Sequence, residues 1–388
     1  MRGRLHETTD EAWNMRLVGH ADFDGTGDCM HVNLKDGVAY VGHQTGGTSV
    51  VDVRDPTEPR RVLYLPAPSN SHSHKVQVVG DVLLVNRERR FGGRNTSQAW
   101  QSGLSIFDVS DPFAPREIGY WACGGRGVHR MSYWEEPYAF VTAGSGDSSG
   151  QFLVILDLSD PSAPVEAGRW WLPGMRRGEE ALRTWPDGAE VLLHHGVPRG
   201  DRLYCGWWDQ GLVILDVSDK GAPSLVAHVD LDEVDGPSLC THTACPLPGR
   251  EALVVTDECV ESPARIPYQA RLVDISDEKN PRVVSRLPVP EGDFTSRGGR
   301  FGPHNVHEYR PGTYQDGSRV FLTYFNAGVR VYDVSDLENP REIAWHVPKA
   351  PIGSPAIQMN DILVDADGLI YATDRHTGGL YIFELDGV

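Results

Sequence analysis

Short runs in which apolar and polar residues alternate fill the chain, each bounded by Gly, Pro, Asp or Asn. In "HKVQVVGDVLLVN" (74–86), Val76 and Val78 alternate with Lys75 and Gln77, Gly80 and Asp81 make a turn, and an apolar run follows. "HVNLKDGVAYVG" (31–42) has the same form. A period of two between turn residues predicts paired β-strands. The nearest approach to a helical period, "MRRGEEALRTW" (175–185), is short.

One phrase recurs along the chain. It reads "TSVVDVRDPTEPRRVLYL" from 48, "LSIFDVSDPFAPREIGYW" from 104 and "FLVILDLSDPSAPVEAGRW" from 152. It returns as "LVILDVSDKGAPSLVAHV" from 212, "ARLVDISDEKNPRVVSRL" from 270 and "VRVYDVSDLENPREIAWH" from 329, and ends as "GLYIFELDGV" from 379. Each copy is a strand, an Asp-containing turn and a second strand, with another strand pair ahead of it. A period of 49 to 59 residues with four strands per unit predicts an all-β protein. The expected architecture is a seven-bladed β-propeller in a single domain over 1–388, with residues 1–14 as a tail. "RLVGHADF" (16–23) matches "SLVAHVDL" (224–231), so the N-terminal strand is expected to complete the last blade and close the ring. The phrase "LVILDVSDP" resembles the LVIVD-repeat family, which implies a propeller and leaves function open.

The formal charge of −18 argues against nucleic acid or an anionic membrane as partner. Glycine (42) and proline (27) suit many tight turns. The first 30 residues hold no apolar run behind a basic start, and the six cysteines form no CxxC pair. A cytoplasmic protein with reduced thiols is the expectation.

Aligned on their turn glycines, six of the seven inner strands begin with a histidine: His31, His74, His129, His195, His242 and His304. The seventh offers Asn360 or Asp361. Inner strands of a propeller run parallel around a channel, so these residues are expected to converge on one ring. A repeated structural histidine copied by duplication is one explanation. The other is a divalent transition metal (Mn, Fe, Zn or Cu), since neutral imidazoles crowded in a dry channel are good ligands. Only three or four would bind directly.

Loops after the second strand of each blade open on the same face. They bring Arg87, Glu88, Asp209, Asp257, Glu258, Asp374 and His376 near the ring. Glu88, Asp257, Asp374 and His376 are the candidates for proton transfer. Arg87, Asp209, His72 and His194 are the candidates for holding substrate. Cys29 and Cys240, each two residues before a ring histidine, read as buried thiols. No nucleophile elbow, Walker loop or dinucleotide fingerprint is present.

In plan, a histidine-lined hub is similar to that of metal-dependent propeller enzymes: oligogalacturonate lyases, carotenoid oxygenases and the selenium-binding or methanethiol oxidase group. That similarity implies a metal-dependent enzyme on a small, anionic organic substrate, of lyase or hydrolase type. A Fe- or Cu-dependent oxidase or oxygenase is the first alternative, and a non-catalytic ligand- or protein-binding scaffold the second.

Overall fold

The computed structural model describes residues 10–90, 99–236, 240–261 and 268–387. It is all-β. Among the described residues the helical elements are one five-residue helix, Leu231–Asp235, and three 3-10 turns. The weak helical signal at 175–185 yields only the turn Glu180–Leu182. None of these helices is long and apolar enough to cross a membrane.

The strands form six sheets. The first holds Cys29–Lys35, Val38–His43, Thr48–Asp52 and Arg60–Leu65, paired antiparallel in chain order. Its first hairpin turns through Asp36 and Gly37, at φ 49° and 75°. Both lie in the left-handed region that a two-residue hairpin of this twist requires, and which Asp and Gly tolerate. Burial falls outward: Val38–His43 is buried along its length, whereas Arg60–Leu65 alternates exposed and half-buried positions. Full burial explains why the inner strands read as apolar runs and the outer ones as mixed.

Two further four-stranded sheets follow the same order. They are His195–Arg199 through Ser224–Val229, and Thr241–Pro246 through Arg282–Arg286. A nine-stranded sheet, whose strands run from Ser71–His72 to Val165–Trp170, consists of two such units and the short strand Ser71–His72, the units joined where Gly127 lies opposite Glu88. Leu84, Ile106, Val128 and Val154 pack into one buried core there.

The remaining two sheets contain the N-terminal segment. Met15–Ala21 pairs with the C-terminal strand Gly379–Leu385, Met15 opposite Leu385 and Ala21 opposite Leu380. Glu11–Trp13, which the sequence reading assigns to a tail, is instead a short strand along Arg341–Val347. Trp13 lies opposite Trp345 there, giving this edge an apolar contact. The inner strand expected at "GPHNV" is irregular. Val306 bridges Leu322, and His304 and His307 donate backbone hydrogen bonds to Thr323 and Phe321.

The repeated Asp is a turn former. Asp108, Asp157, Asp216, Asp274 and Asp333 each accept the backbone N–H of the serine two residues on, at 2.8–2.9 Å. Arginines on the returning strands add to three of them: Arg116 to Asp108, Arg282 to Asp274 and Arg341 to Asp333. The recurrence of "DVSD" is therefore a folding signal at the blade turns, away from any site.

Candidate metal centre

The inner hairpins share one register. His31 lies opposite Gly42, Arg130 opposite Thr142, His195 opposite Gly206, Thr243 opposite Thr256 and Asp361 opposite Thr373. Lys75 and Asn305 hold the same place, bonded to Asn86 and Thr323. The residue before each of these sits one step nearer the channel mouth. In four strands it falls at a ladder shift, where a bulge re-aims the side chain. That upper layer is Met30, His74, His129, His194, His242, His304 and Asn360.

The ring therefore differs from the sequence reading at two places. His31 and His195 belong to the layer below, and His194, read as a substrate group, takes the fourth place in the ring. A one-residue slip exchanges the face a strand residue presents, and the doublet His194-His195 does not reveal which member faces the mouth. Ring centroids then step from His74 to His129 at 5.0 Å, to His194 at 4.7 Å, to His242 at 3.7 Å and to His304 at 4.4 Å. His72, from the short strand Ser71–His72, stands 4.3 Å from His74.

The second strands supply the partners. Two residues beyond Asn86, Gly206, Thr256, Thr323 and Thr373 come Glu88, Trp208, Glu258, Phe325 and Arg375. Trp208 stacks on His194 and Phe325 lies against His304. Glu88 and Glu258 occupy equivalent positions in two different blades, and each reaches the histidines.

Glu88 is fully buried. Its Oε2 lies 3.0 Å from His129 Nδ1, 3.2 Å from His72 Nε2 and 3.7 Å from His74 Nε2. Its Oε1 accepts from Gln151 at 3.2 Å. Burial would raise the carboxyl, but His129 and His72 outweigh it and hold Glu88 below the usual carboxylate range. Donor atoms bound to one ion at about 2.0–2.2 Å stand roughly 3–3.6 Å apart, so these separations suit a coordination shell.

Tautomers decide which nitrogens can bind. His72 Nδ1 donates to the carbonyl of Gln44 at 2.8 Å, and its Nε2 faces Glu88. His194 Nδ1 is tied to the carbonyl of His242 at 3.1 Å, and His304 Nδ1 to that of Asn360 at 2.6 Å. Burial pushes His194 and His242 well below the usual imidazole range and His304 down to about 4. With its proton on Nδ1, His194 receives the Nε2–H of His129 across 2.9 Å. His129 Nδ1 then faces Glu88. Two imidazole nitrogens thus converge on one buried carboxylate oxygen, a donor set that a divalent cation would fit.

By distance alone His72, His74 and Glu88 form one group and His194, His242 and Glu258 another. His74 is the weaker ligand of the first. Asn86 donates its amide N–H to His74 Nδ1 at 3.0 Å while its Oδ1 accepts from Lys75, so the His74 proton sits on Nε2. Both carboxylates have arginines nearby: Arg126 lies 3.7 Å from Glu88 Oε1, and two lie at Glu258. Arg300 lies 2.8 Å from Glu258 Oε1 and Arg375 3.9 Å, both over the Phe325 ring. Burial favours the neutral acid, but His304, Arg300 and His194 hold Glu258 well below the usual range.

Four segments of the sequence, 26–63, 99–122, 136–170 and 199–231, match the LVIVD repeat. The chain carries LVIVD repeats. Its sequence matches none of the curated proteins. Among solved structures, the β-propeller domain of Cps50 (Swd1) from Myceliophteria thermophila superposes with a TM-score of 0.60 at 13% identity, covering 95% of this chain and 98% of that one. A hypothetical selenium-binding protein from Sulfolobus tokodaii gives 0.60 at 14%, covering 95% and 94%. The N-terminal domain of Nup159 gives 0.57 at 12%, covering 98% of both. At such identities these likenesses speak for the β-propeller fold alone.

Several rim residues have local tasks. Asp257 pairs with Arg271 at 2.9 Å. Asp374 accepts the backbone N–H groups of Gln358, His376 and Gly378. Asp209 accepts from Glu190 N at 2.9 Å, and Arg87 donates to Ser73. His376 is exposed, with Ser354 Oγ 3.5 Å from its Nδ1. The structure thus brings Glu88, His72, His129 and His194 together, and takes up Asp257, Asp374, Asp209 and Arg87 in the surrounding frame. Sequence reasoning missed Arg300 and Arg375. Arg375 follows Asp374 at the position equivalent to Glu88, and that equivalence was the available signal.

Proposed function

We propose that the LVIVD propeller has seven blades, closed by Met15–Ala21, and that its hub holds one divalent transition-metal ion for chemistry on a small organic anion. His72 Nε2, His129 Nδ1 and Glu88 Oε2 are the ligands. The observation that carries this reading is the convergence of His72 Nε2 and His129 Nδ1 on one buried carboxylate oxygen, at 3.2 and 3.0 Å. When bound, such an ion supplies Lewis-acid polarisation of a carbonyl or an activated water. His74 Nε2 lies 3.7 Å from the same oxygen of Glu88, beside the ion, and Gln151 fixes the other carboxylate oxygen. His129, whose side chain keeps 15% of its exposure, lies at the mouth, and Arg300 and Arg375 present positive charge across the ring. Lyase- or hydrolase-type turnover of a carboxylate-bearing substrate fits these parts.

Two imidazoles and one carboxylate with open positions also suit Fe(II) and O2 chemistry, so the metal's identity separates the two enzymatic readings. We place the protein in the cytoplasm, a reading supported by six cysteines that are all free thiols. Elemental analysis of purified wild type and Glu88→Gln, before and after chelation and reloading, tests the proposal. Stoichiometric metal in wild type and none in the variant is the expected result. Wild type that neither contains nor takes up Mn, Fe, Co, Cu or Zn would leave a non-catalytic binding propeller.

A further inference from the structure

At the opposite end of the inner strands lies a cavity of about 470 Å³, within the range of small-molecule sites. It touches none of the ring histidines. Trp134, Tyr138, Phe140 and Tyr309 give it aromatic walls. Glu308 closes its inner side, with only 8% of its side chain exposed. Glu308 Oε1 is engaged by Arg130, but Oε2 has no hydrogen-bond partner among the described residues, and Arg310 Nε stops 3.9 Å away. The indole N–H of Trp134 has no partner there either. The wall's polar atoms are therefore not satisfied by one another.

Charge on the lining is unequal. Glu135, Glu136, Asp201 and Glu308 face two bases, Arg199 and Lys220. Arg199 is held by the carbonyls of Leu247 and Arg250. Lys220 bonds to the carbonyl of Val217 and sits over the Tyr138 ring at 5.5 Å, so this wall already accommodates one ammonium against an aromatic face.

We propose that this cavity binds a small organic cation with an apolar body, its ammonium or guanidinium directed to Glu308 Oε2 and its apolar part against the aromatic walls. The site is separate from the histidine hub and does not depend on a metal there. A buried carboxylate oxygen without a donor costs stability unless a donor arrives, and a desolvated ammonium beside aromatic faces is the donor that this lining favours.

Isothermal titration of the full chain with benzylammonium, benzyl alcohol and benzoate tests the assignment. Benzylammonium binds, benzyl alcohol binds about tenfold or more weakly, and benzoate does not bind. Glu308→Gln lowers benzylammonium affinity about tenfold. Because that change also leaves Arg130 without its carboxylate, Lys220→Met provides a second reading. Removing the resident ammonium frees the Tyr138 face and tightens benzylammonium binding several-fold. The proposal is overturned if benzyl alcohol binds as tightly as benzylammonium, or if no probe binds with a Kd below about 10 mM. It is equally overturned if Lys220→Met leaves the affinity for the cation unchanged.

Discussion

One step along each inner strand changes the chemistry of the hub. In the lower layer, Arg130 meets Glu308 and Asn305, and Asp361 accepts from Val32 N and Asn305 Nδ2 at 2.8 and 2.7 Å. Lys75 donates to the carbonyl of Met30, and His195 bonds to Ser132. Burial lowers Lys75 to about 7 and raises Asp361 to about 6, so neither holds its charge strongly. Most of this layer's polar groups bond to one another, while Arg130 Nε, His195 Nδ1 and the adjoining Glu308 Oε2 have no hydrogen-bond partner among the described residues. In the upper layer His72, His74 and His129 converge on one oxygen of Glu88. Both layers are largely buried, so burial alone does not distinguish them. Their partners do: Arg130 and Asp361 tie the lower layer to Glu308 and Asn305, whereas the upper layer gathers imidazoles around Glu88, where we propose the cation.

The largest expected effect falls on the upper layer. Glu88→Gln, His72→Ala and His129→Ala should each abolish stoichiometric metal, measured on folded protein after reloading. His74→Ala should retain it with affinity reduced about 10–100-fold, the usual cost of losing a partner that only orients a ligand. Equal losses in all four variants would remove the tautomer argument that separates His74 from His129.

Breaking the lower layer should act on stability instead. Arg130→Met leaves Glu308 buried without its main cation, which costs about 3–5 kcal/mol by urea unfolding, while metal content stays intact. A variant of wild-type stability would show that the Arg130–Glu308 pair does not support the fold.

The doublet His194-His195 gives the sharpest local contrast. His195→Ala removes a hydrogen bond to Ser132 and should cost about 1–3 kcal/mol without altering bound metal. His194→Ala removes the acceptor for His129 Nε2–H and should weaken the metal while changing stability less. Reversed behaviour would restore the register read from the glycines.

The smallest effect is expected at the blade turns. Arg54 bonding to Asp52, Ser110 to Asp108 and Ser335 to Asp333 hold those carboxyls down at about 2. A depressed folded pKa contributes stability above the unfolded value, about 3.9, which is lost as the pH falls through the folded one. The melting temperature should therefore decline between about pH 4 and pH 2, with a shallower slope in Asp333→Asn. An identical slope in that variant would show that Asp333 contributes nothing.

The repeat was readable because each blade must alternate strand and turn, and "DVSD" marks the same turn each time. The involvement of Glu88 was readable because it lies near the end of the second strand of its blade, on the face where the inner strands begin. Ring membership was not. It depends on bulges in the inner strands, and a bulge leaves no consistent residue behind: Met30, His129, His242 and Asn360 occupy it in four blades. The pairing of Glu258 with Arg300 was hidden for another reason. These residues lie 42 positions apart, and Arg300 sits in a loop whose path no periodicity predicts.

The pairing of Met15–Ala21 with Gly379–Leu385 also has a consequence for timing. Arg16 and Glu384, joined across it, are 368 positions apart, so the first-made of these strands has no partner until the other is translated. At about 5–20 residues per second that interval is roughly 20–70 s. Through it the nascent chain carries an unsatisfied strand, with Leu17 and Val18 available to any other sheet edge. The charges of Arg16 and, further along, the acidic stretch at 22–28 flank that strand and disfavour such capture until its proper neighbour arrives.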